Sequence, residues 1–213
     1  MKTQAVILLI LITVLTACSA QTTEQTEESV PPSAFDIQPL LIGEYVPELT
    51  LTDKDDREHS LKELVSQQPA VIVFYRGGWC PFCSSYMGEV AAMEDDIYDL
   101  GYQILAISPD QPQYLRESVE EVDINYTLLS DSSMEAARAF GLAFRVDDET
   151  VEELKNNGMD IVKNSGHEHR QLPVPAAYIT DTSGEILFQY INPDYRERIS
   201  GDILISALRE YRE

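Results

Sequence analysis

The chain has 213 residues and a formal charge of −22, from 37 acidic and 15 basic side chains. That length carries one domain of ordinary size with tails. That charge repels nucleic-acid phosphates and anionic lipid headgroups, so neither is expected as a partner.

Met1 and Lys2 precede a largely apolar run from Ala5 to Leu15. It has the length of a signal-peptide h-region and falls short of the ~20 residues a membrane-spanning helix needs. Leu15-Thr16-Ala17-Cys18 then resembles the lipobox of bacterial lipoproteins. The resemblance implies a signal peptide over residues 1–17, lipidation at Cys18, and a product exported and lipid-anchored to the bacterial cell envelope. A plain secretory signal with a chance cysteine is the alternative. Residues 18–39 are polar, acidic and proline-containing and are expected to form a flexible tether. The domain is placed at residues 40–213.

Within it, residues 45–52 alternate toward a short strand, and the charged stretch after them reads as a turn in which His59 is solvated. Ser60 to Glu63 has capping-box spacing and opens a short helix ending near Gln67. Ala70 to Tyr75, AVIVFY, has the composition of a strand buried on both faces. From Cys83 to Leu100, Met87, Val90, Met93, Ile97 and Leu100 recur at three and four, a core-facing stripe stopped by Gly101. The run Glu94-Asp95-Asp96 is assigned to the wet face of that helix. Strands at 102–107 and 126–129 alternate with helices at 113–122 and 132–140. Residues 143–170 break the pattern and read as a polar insertion with one helix near 149–156. Residues 176–180 and 185–191 flank Asp181-Thr182-Ser183-Gly184, a hairpin signal, and 201–211 close the chain as a helix. This order predicts an α/β sandwich with a central mixed sheet and helices on both faces.

If Cys18 is a lipid attachment point, Cys80 and Cys83 are the only thiols of the folded domain. Two cysteines two residues apart cannot staple distant parts of a fold, so they serve chemistry or metal. They fall between a buried strand and an amphipathic helix. At a helix N-terminus free N–H groups and the helix dipole favour a thiolate. Pro81 suits the first turn. Trp79, the only tryptophan, is placed to shield the thiols and wall a substrate-docking surface.

The stretch Phe74-Tyr75-Arg76-Gly77-Gly78-Trp79-Cys80-Pro81-Phe82-Cys83 resembles the active-site loop of the peroxiredoxin-like branch of the alkyl hydroperoxide reductase/thiol-specific antioxidant family. Ile107-Ser108-Pro109-Asp110, Leu129-Ser130-Asp131 and Phe140-Gly141-Leu142 fit as well, and the resemblance covers roughly residues 40–211. It implies a thioredoxin-like fold and a thiol-dependent peroxidase that needs no cofactor or metal. Such an enzyme would cycle through a Cys80–Cys83 disulfide and be re-reduced by a thioredoxin-like partner. The family's PxxxTxxC motif would put its proline on Arg76, its threonine on Cys80 and its peroxidatic cysteine on Cys83, so two of three marked positions depart from it. Arg76 is the candidate guanidinium for activating the thiolate and polarising the peroxide. The family's second active-site arginine is expected just before the strand at Tyr178. That place reads Val174-Pro175-Ala176, similar to the cis-proline segment of thioredoxins, which makes Pro175 a docking candidate.

Two other readings stay open. One is a thiol–disulfide oxidoreductase acting on exported protein disulfides, in which Cys80 attacks; in the peroxidase reading the family motif has Cys83 attack. The other is a thioredoxin-fold copper carrier using both thiols and His167 or His169.

Overall fold

The computed structural model describes residues 30–212. The expected signal peptide and Cys18 lie outside them, as does most of the tether. From Val30 onward the tether segment is packed: Arg145 N donates to Pro31 O (2.8 Å) and Leu40 N to Phe140 O (3.1 Å). Val30, Ile37 and Leu40 rest on the core. Val30 and Ile37 are half-buried against the domain while Phe35 stays 78% exposed, so this end of the tether segment runs along the domain surface.

In chain order the elements are β1 (Thr50–Asp53), β2 (Glu58–Ser60), α1 (Leu61–Gln67), β3 (Ala70–Phe74), α2 (Pro81–Ala92), α3 (Glu94–Asp99) and β4 (Gln103–Ser108). They continue as α4 (Pro112–Val122), β5 (Thr127–Ser130), α5 (Glu135–Ala139), β6 (Ala143–Arg145), α6 (Asp148–Asn156) and α7 (Ile161–Ser165). The chain ends with β7 (Gln171–Pro173), β8 (Ala176–Thr180), β9 (Ile186–Ile191) and α8 (Gly201–Glu210). Seven strands form one mixed sheet in the order β2-β1-β5-β4-β3-β8-β9. The central β3, β4 and β5 run parallel, and β8 and β1 flank them antiparallel. This is the predicted α/β sandwich.

The central strand shows why two faces are covered. In β3 and the residue after it, Val71, Val73 and Tyr75 point to the side of α2, α3, α4 and α8. Ala70, Ile72 and Phe74 point to the side of α1 and α5. Every residue of β3 is buried, as a central parallel strand with both faces covered requires.

Three expectations are corrected here. The charged turn closes a hairpin, because the buried Asp53 accepts the N–H groups of Asp55 (2.8 Å) and Arg57 (3.0 Å) and meets His59 Nε2 at 2.8 Å. His59 is therefore held by a carboxylate and not free in solvent. The long helix breaks at Met93, which caps α2 and opens α3, and Glu94 turns inward at 7% exposure while Asp95 and Asp96 stay out. The insertion at 143–170 is ordered around its own apolar cluster of Val146, Val151, Ile161 and Leu172. Two helices and the β6–β7 ribbon surround that cluster.

Candidate active site

The loop from Tyr75 to Cys80 joins the central strand to α2. Tyr75 N still bonds Ile107 O (3.0 Å), and the chain then turns through Gly77 at φ +140°. No side chain fits there, since a Cβ would collide with the Trp79 indole and lie 2.8 Å from Asp110 Oδ1. Gly78 presses on α4, where a Cβ would strike Ser118 Oγ. Gly78 N donates to Asp110 Oδ2 (2.7 Å), and Ser84 Oγ returns from α2 to Gly78 O (2.8 Å). Cys80 is the N-cap of α2 and Pro81 its first residue, where the missing N–H costs nothing.

Both thiols are reduced and buried, Cys80 at 2% and Cys83 at 0% exposure. Their side chains face each other. The Cys83 thiol donates to Cys80, and this bond, aided by the Cys83 backbone N–H and the Arg76 and Arg198 charges, outweighs burial and lowers Cys80 to about 6. Cys83 is pushed up by that hydrogen bond to Cys80 and by its deeper burial. Two groups nevertheless address Cys83 directly: the backbone N–H of Arg76 and Arg198 Nη2, 3.4 Å from its Sγ.

Arg198 was not among the residues expected from sequence. The second guanidinium comes from the loop after β9, not from the segment before β8. Buried Ile199 and the N-cap Ser200 of α8 fix its backbone, and Nη1 donates to Tyr195 O (2.5 Å) and Glu197 O (2.7 Å). An arginine just ahead of an apolar anchor and a serine cap was the one available signal.

Arg76 is 7% exposed. Its guanidinium is held between rings, 4.2 Å from the centre of Tyr195 and 5.3 Å from that of Trp79, and its Nε has no hydrogen-bond partner among the described residues. Trp79 is half-buried and also packs on the cluster of the insertion. Phe82 (45% exposed) and Tyr195 (40%) meet edge to face at 5.7 Å and rim the opening. Pro175 lines a cavity of about 300 Å³ together with Arg76 and Tyr195. No peptide bond among the described residues is cis, so Pro175 does not reproduce the thioredoxin cis-proline.

The histidines are not gathered with the thiols into a metal site. His169 accepts from Gln171 N at Nδ1 (3.0 Å), which leaves Nε2 to donate to Ser132 O (3.0 Å). Both ring nitrogens are thus used, and burial lowers its pKa. His167 stacks on it at 6.0 Å. Among the described residues no group of three or more His, Cys, Asp or Glu side chains could hold a metal ion.

A thioredoxin-like sheet carrying two buried thiols at a helix N-terminus, beside two guanidiniums, has the makings of a thiol oxidoreductase. The AhpC/TSA family matches residues 42–189, and the chain belongs to that family. A putative peroxiredoxin, bcp, of Haemophilus influenzae is 30% identical over 106 residues, half of this chain and 68% of that protein. Peroxiredoxin Bcp of Escherichia coli is 28% identical over 106 residues, 50% of this chain and 67% of its own. Among solved structures, peroxidoxin BcpB of Mycobacterium tuberculosis superposes with a TM-score of 0.63 at 19% identity, covering 81% of this chain and 98% of that one. Reduced Prx3 of Vibrio vulnificus in complex with hydrogen peroxide gives 0.66 at 16% identity, with 81% and 98% covered. These likenesses show the thioredoxin fold.

Proposed function

We propose that the protein is a thiol peroxidase that reduces hydrogen or alkyl hydroperoxides through a Cys80–Cys83 dithiol–disulfide cycle. The observation that carries this is the pair of buried thiols at the N-cap and first turn of α2, with Arg198 Nη2 3.4 Å from Cys83 Sγ and the buried Arg76 beside them, charges that favour a thiolate on Cys80. Peroxide reduction needs a thiolate and a positive group for the oxyanion that leaves.

Cys80 S⁻ attacks the outer peroxide oxygen, the O–O bond breaks, and the departing alkoxide takes the proton of the Cys83 thiol. The new Cys83 thiolate attacks the sulfur of Cys80 sulfenic acid, expels hydroxide and closes the disulfide. The two sulfurs are already in hydrogen-bond contact at the N-cap and first turn of α2, so closure needs no unwinding of the helix. A thioredoxin-like dithiol returns the pair to its reduced form. Trp79, Phe82 and Tyr195 offer the apolar rim on which it docks. The protein acts outside the cytoplasm, tethered through lipid on Cys18.

A second order of attack, with Cys83 first and Cys80 resolving, is favoured by the Arg198 contact on Cys83 Sγ. Purified reduced protein is tested for peroxide consumption and for insulin disulfide reduction. Consumption well above that of a free thiol, with slow insulin reduction, supports the peroxidase. The reverse result makes the protein a disulfide reductase.

A further inference from the structure

Beneath the glycines of the active-site loop lies a carboxyl that the dithiol cycle above does not use. Asp110 follows β4 and is 1% exposed. One oxygen, Oδ2, accepts the Gly78 N–H at 2.7 Å. The Trp79 indole N–H faces the carboxyl, yet Oδ1 closes no hydrogen bond among the described residues. A buried carboxylate oxygen without a donor is costly in the charged form, and far less so when protonated. A structural brace for Gly78 needs only one acceptor, so the second, bare oxygen points to a role for the proton.

The titratable groups around it come from every packed element: Cys80 from the loop, Tyr75 from the end of β3 and Glu117 from α4. Tyr114 of α4 and Lys163 of α7 share a cavity of about 240 Å³ with Asp110. Lys163 sits 6.0 Å over the Tyr114 ring and forms no ion pair with Asp110 among the described residues. Glu117 and a Cys80 thiolate both repel negative charge on Asp110, and burial acts the same way.

We propose that Asp110 is the positioning residue that stores the proton of the dithiol cycle. It is protonated while Cys80 is a thiolate and ionises when the disulfide forms. This rests on the dithiol reading above and completes its balance. The alkoxide takes the Cys83 proton, and the hydroxide expelled from the sulfenic acid takes the Asp110 proton and leaves as water. The negative charge that begins on Cys80 ends on Asp110, and the products are the alcohol, one water and the disulfide. Re-reduction returns the proton. The same carboxyl holds the loop through Gly78, so proton storage and loop position are joined in one side chain.

The test is a reduced-minus-oxidised infrared difference spectrum of the full-length protein, oxidised with diamide so that the outcome does not depend on peroxide turnover. The expected result is a protonated-carboxyl C=O band present in the dithiol form and absent in the disulfide form. Asp110→Asn, whose side-chain oxygen can still accept from Gly78, loses the band. Its Cys80 thiolate, followed by absorbance near 240 nm, still forms at close to the wild-type pH, because the carboxyl that Asn replaces is already neutral while Cys80 ionises. If Asp110→Asn does not fold, Asp110→Glu must move the band. A wild-type spectrum without the band, or a band unchanged in these variants, overturns the proposal. Failure of peroxide reduction with the band intact overturns the peroxidase reading instead.

Discussion

Arg198 reaches back 115 residues along the chain to set its Nη2 3.4 Å from Cys83 Sγ. Its charge also favours the thiolate on Cys80, so one guanidinium serves both sulfurs of the pair. Replacing it with methionine keeps much of the stem and removes the charge. The rate constant for reaction with peroxide is expected to fall about tenfold to a hundredfold, the lower part of the range seen for loss of one transition-state donor or just below it. Stopped-flow fluorescence of Trp79, the only tryptophan, measures it, and an unchanged rate would remove Arg198 from the mechanism.

Arg76 acts on Cys80 by charge from inside a stack of two rings. In Arg76→Met the rate of iodoacetamide alkylation against pH should shift to higher pH, since the thiolate loses a favourable neighbour. Arg76→Lys should retain part of the charge effect but lose the planar stacking. The alkylation midpoints are therefore expected in the order wild type, Lys, Met.

The two loop glycines should differ in whether they can be rescued. Gly78→Ala collides with Ser118 Oγ and sits 3.2 Å from Ser118 Cβ, so the double variant with Ser118→Ala should regain part of the thermal stability and activity. Gly77→Ala meets the Trp79 ring and Asp110 while held at φ +140°, and strain of this kind costs about 1–3 kcal/mol before the collision is counted. No single partner change should restore it, as thermal unfolding of the variants will report.

The thiolate links stability to pH in the reduced protein alone. Cys80 is lowered from 9.0 to about 6 in the fold. A depressed acid contributes stability that is fully present above its unfolded value and is lost as pH falls through its folded value. The Tm of the dithiol form minus that of the disulfide form should therefore fall as pH is lowered from about 9 to about 6. Paired thermal melts check this, and the pH dependence should shrink in Cys80→Ser.

Much of the site could be read in the chain because its signals are local. The buried run Ala70 to Phe74 makes the central strand, and two thiols beside Pro81 mark a helix start, where Cys80 is indeed the N-cap. What escaped depends on contacts distant in sequence or on side chains folding polar segments. Arg198 is joined to Cys83 only through the packing of α8. The hairpin at Asp53 exists because one carboxylate gathers the N–H groups of Asp55 and Arg57 together with His59, so a charged stretch that looked solvated is ordered. The insertion is held by four scattered apolar residues, Val146, Val151, Ile161 and Leu172, too widely spaced to show a period. Residues 30–39 look like linker by composition, and the bond from Arg145 N to Pro31 O that holds them along the domain depends on a residue more than a hundred positions away.

The most direct measurement is rapid-quench mass spectrometry of the reduced wild type, Cys80→Ser and Cys83→Ser after one equivalent of peroxide. The wild type should lose two hydrogens as the Cys80–Cys83 disulfide forms, with the helical circular dichroism unchanged. Cys83→Ser should gain one oxygen rapidly at Cys80, and Cys80→Ser should react slowly. Rapid oxygen gain in Cys80→Ser alone would assign the attack to Cys83, and no reaction faster than that of a free thiol in any of the three proteins would contradict the peroxidase itself.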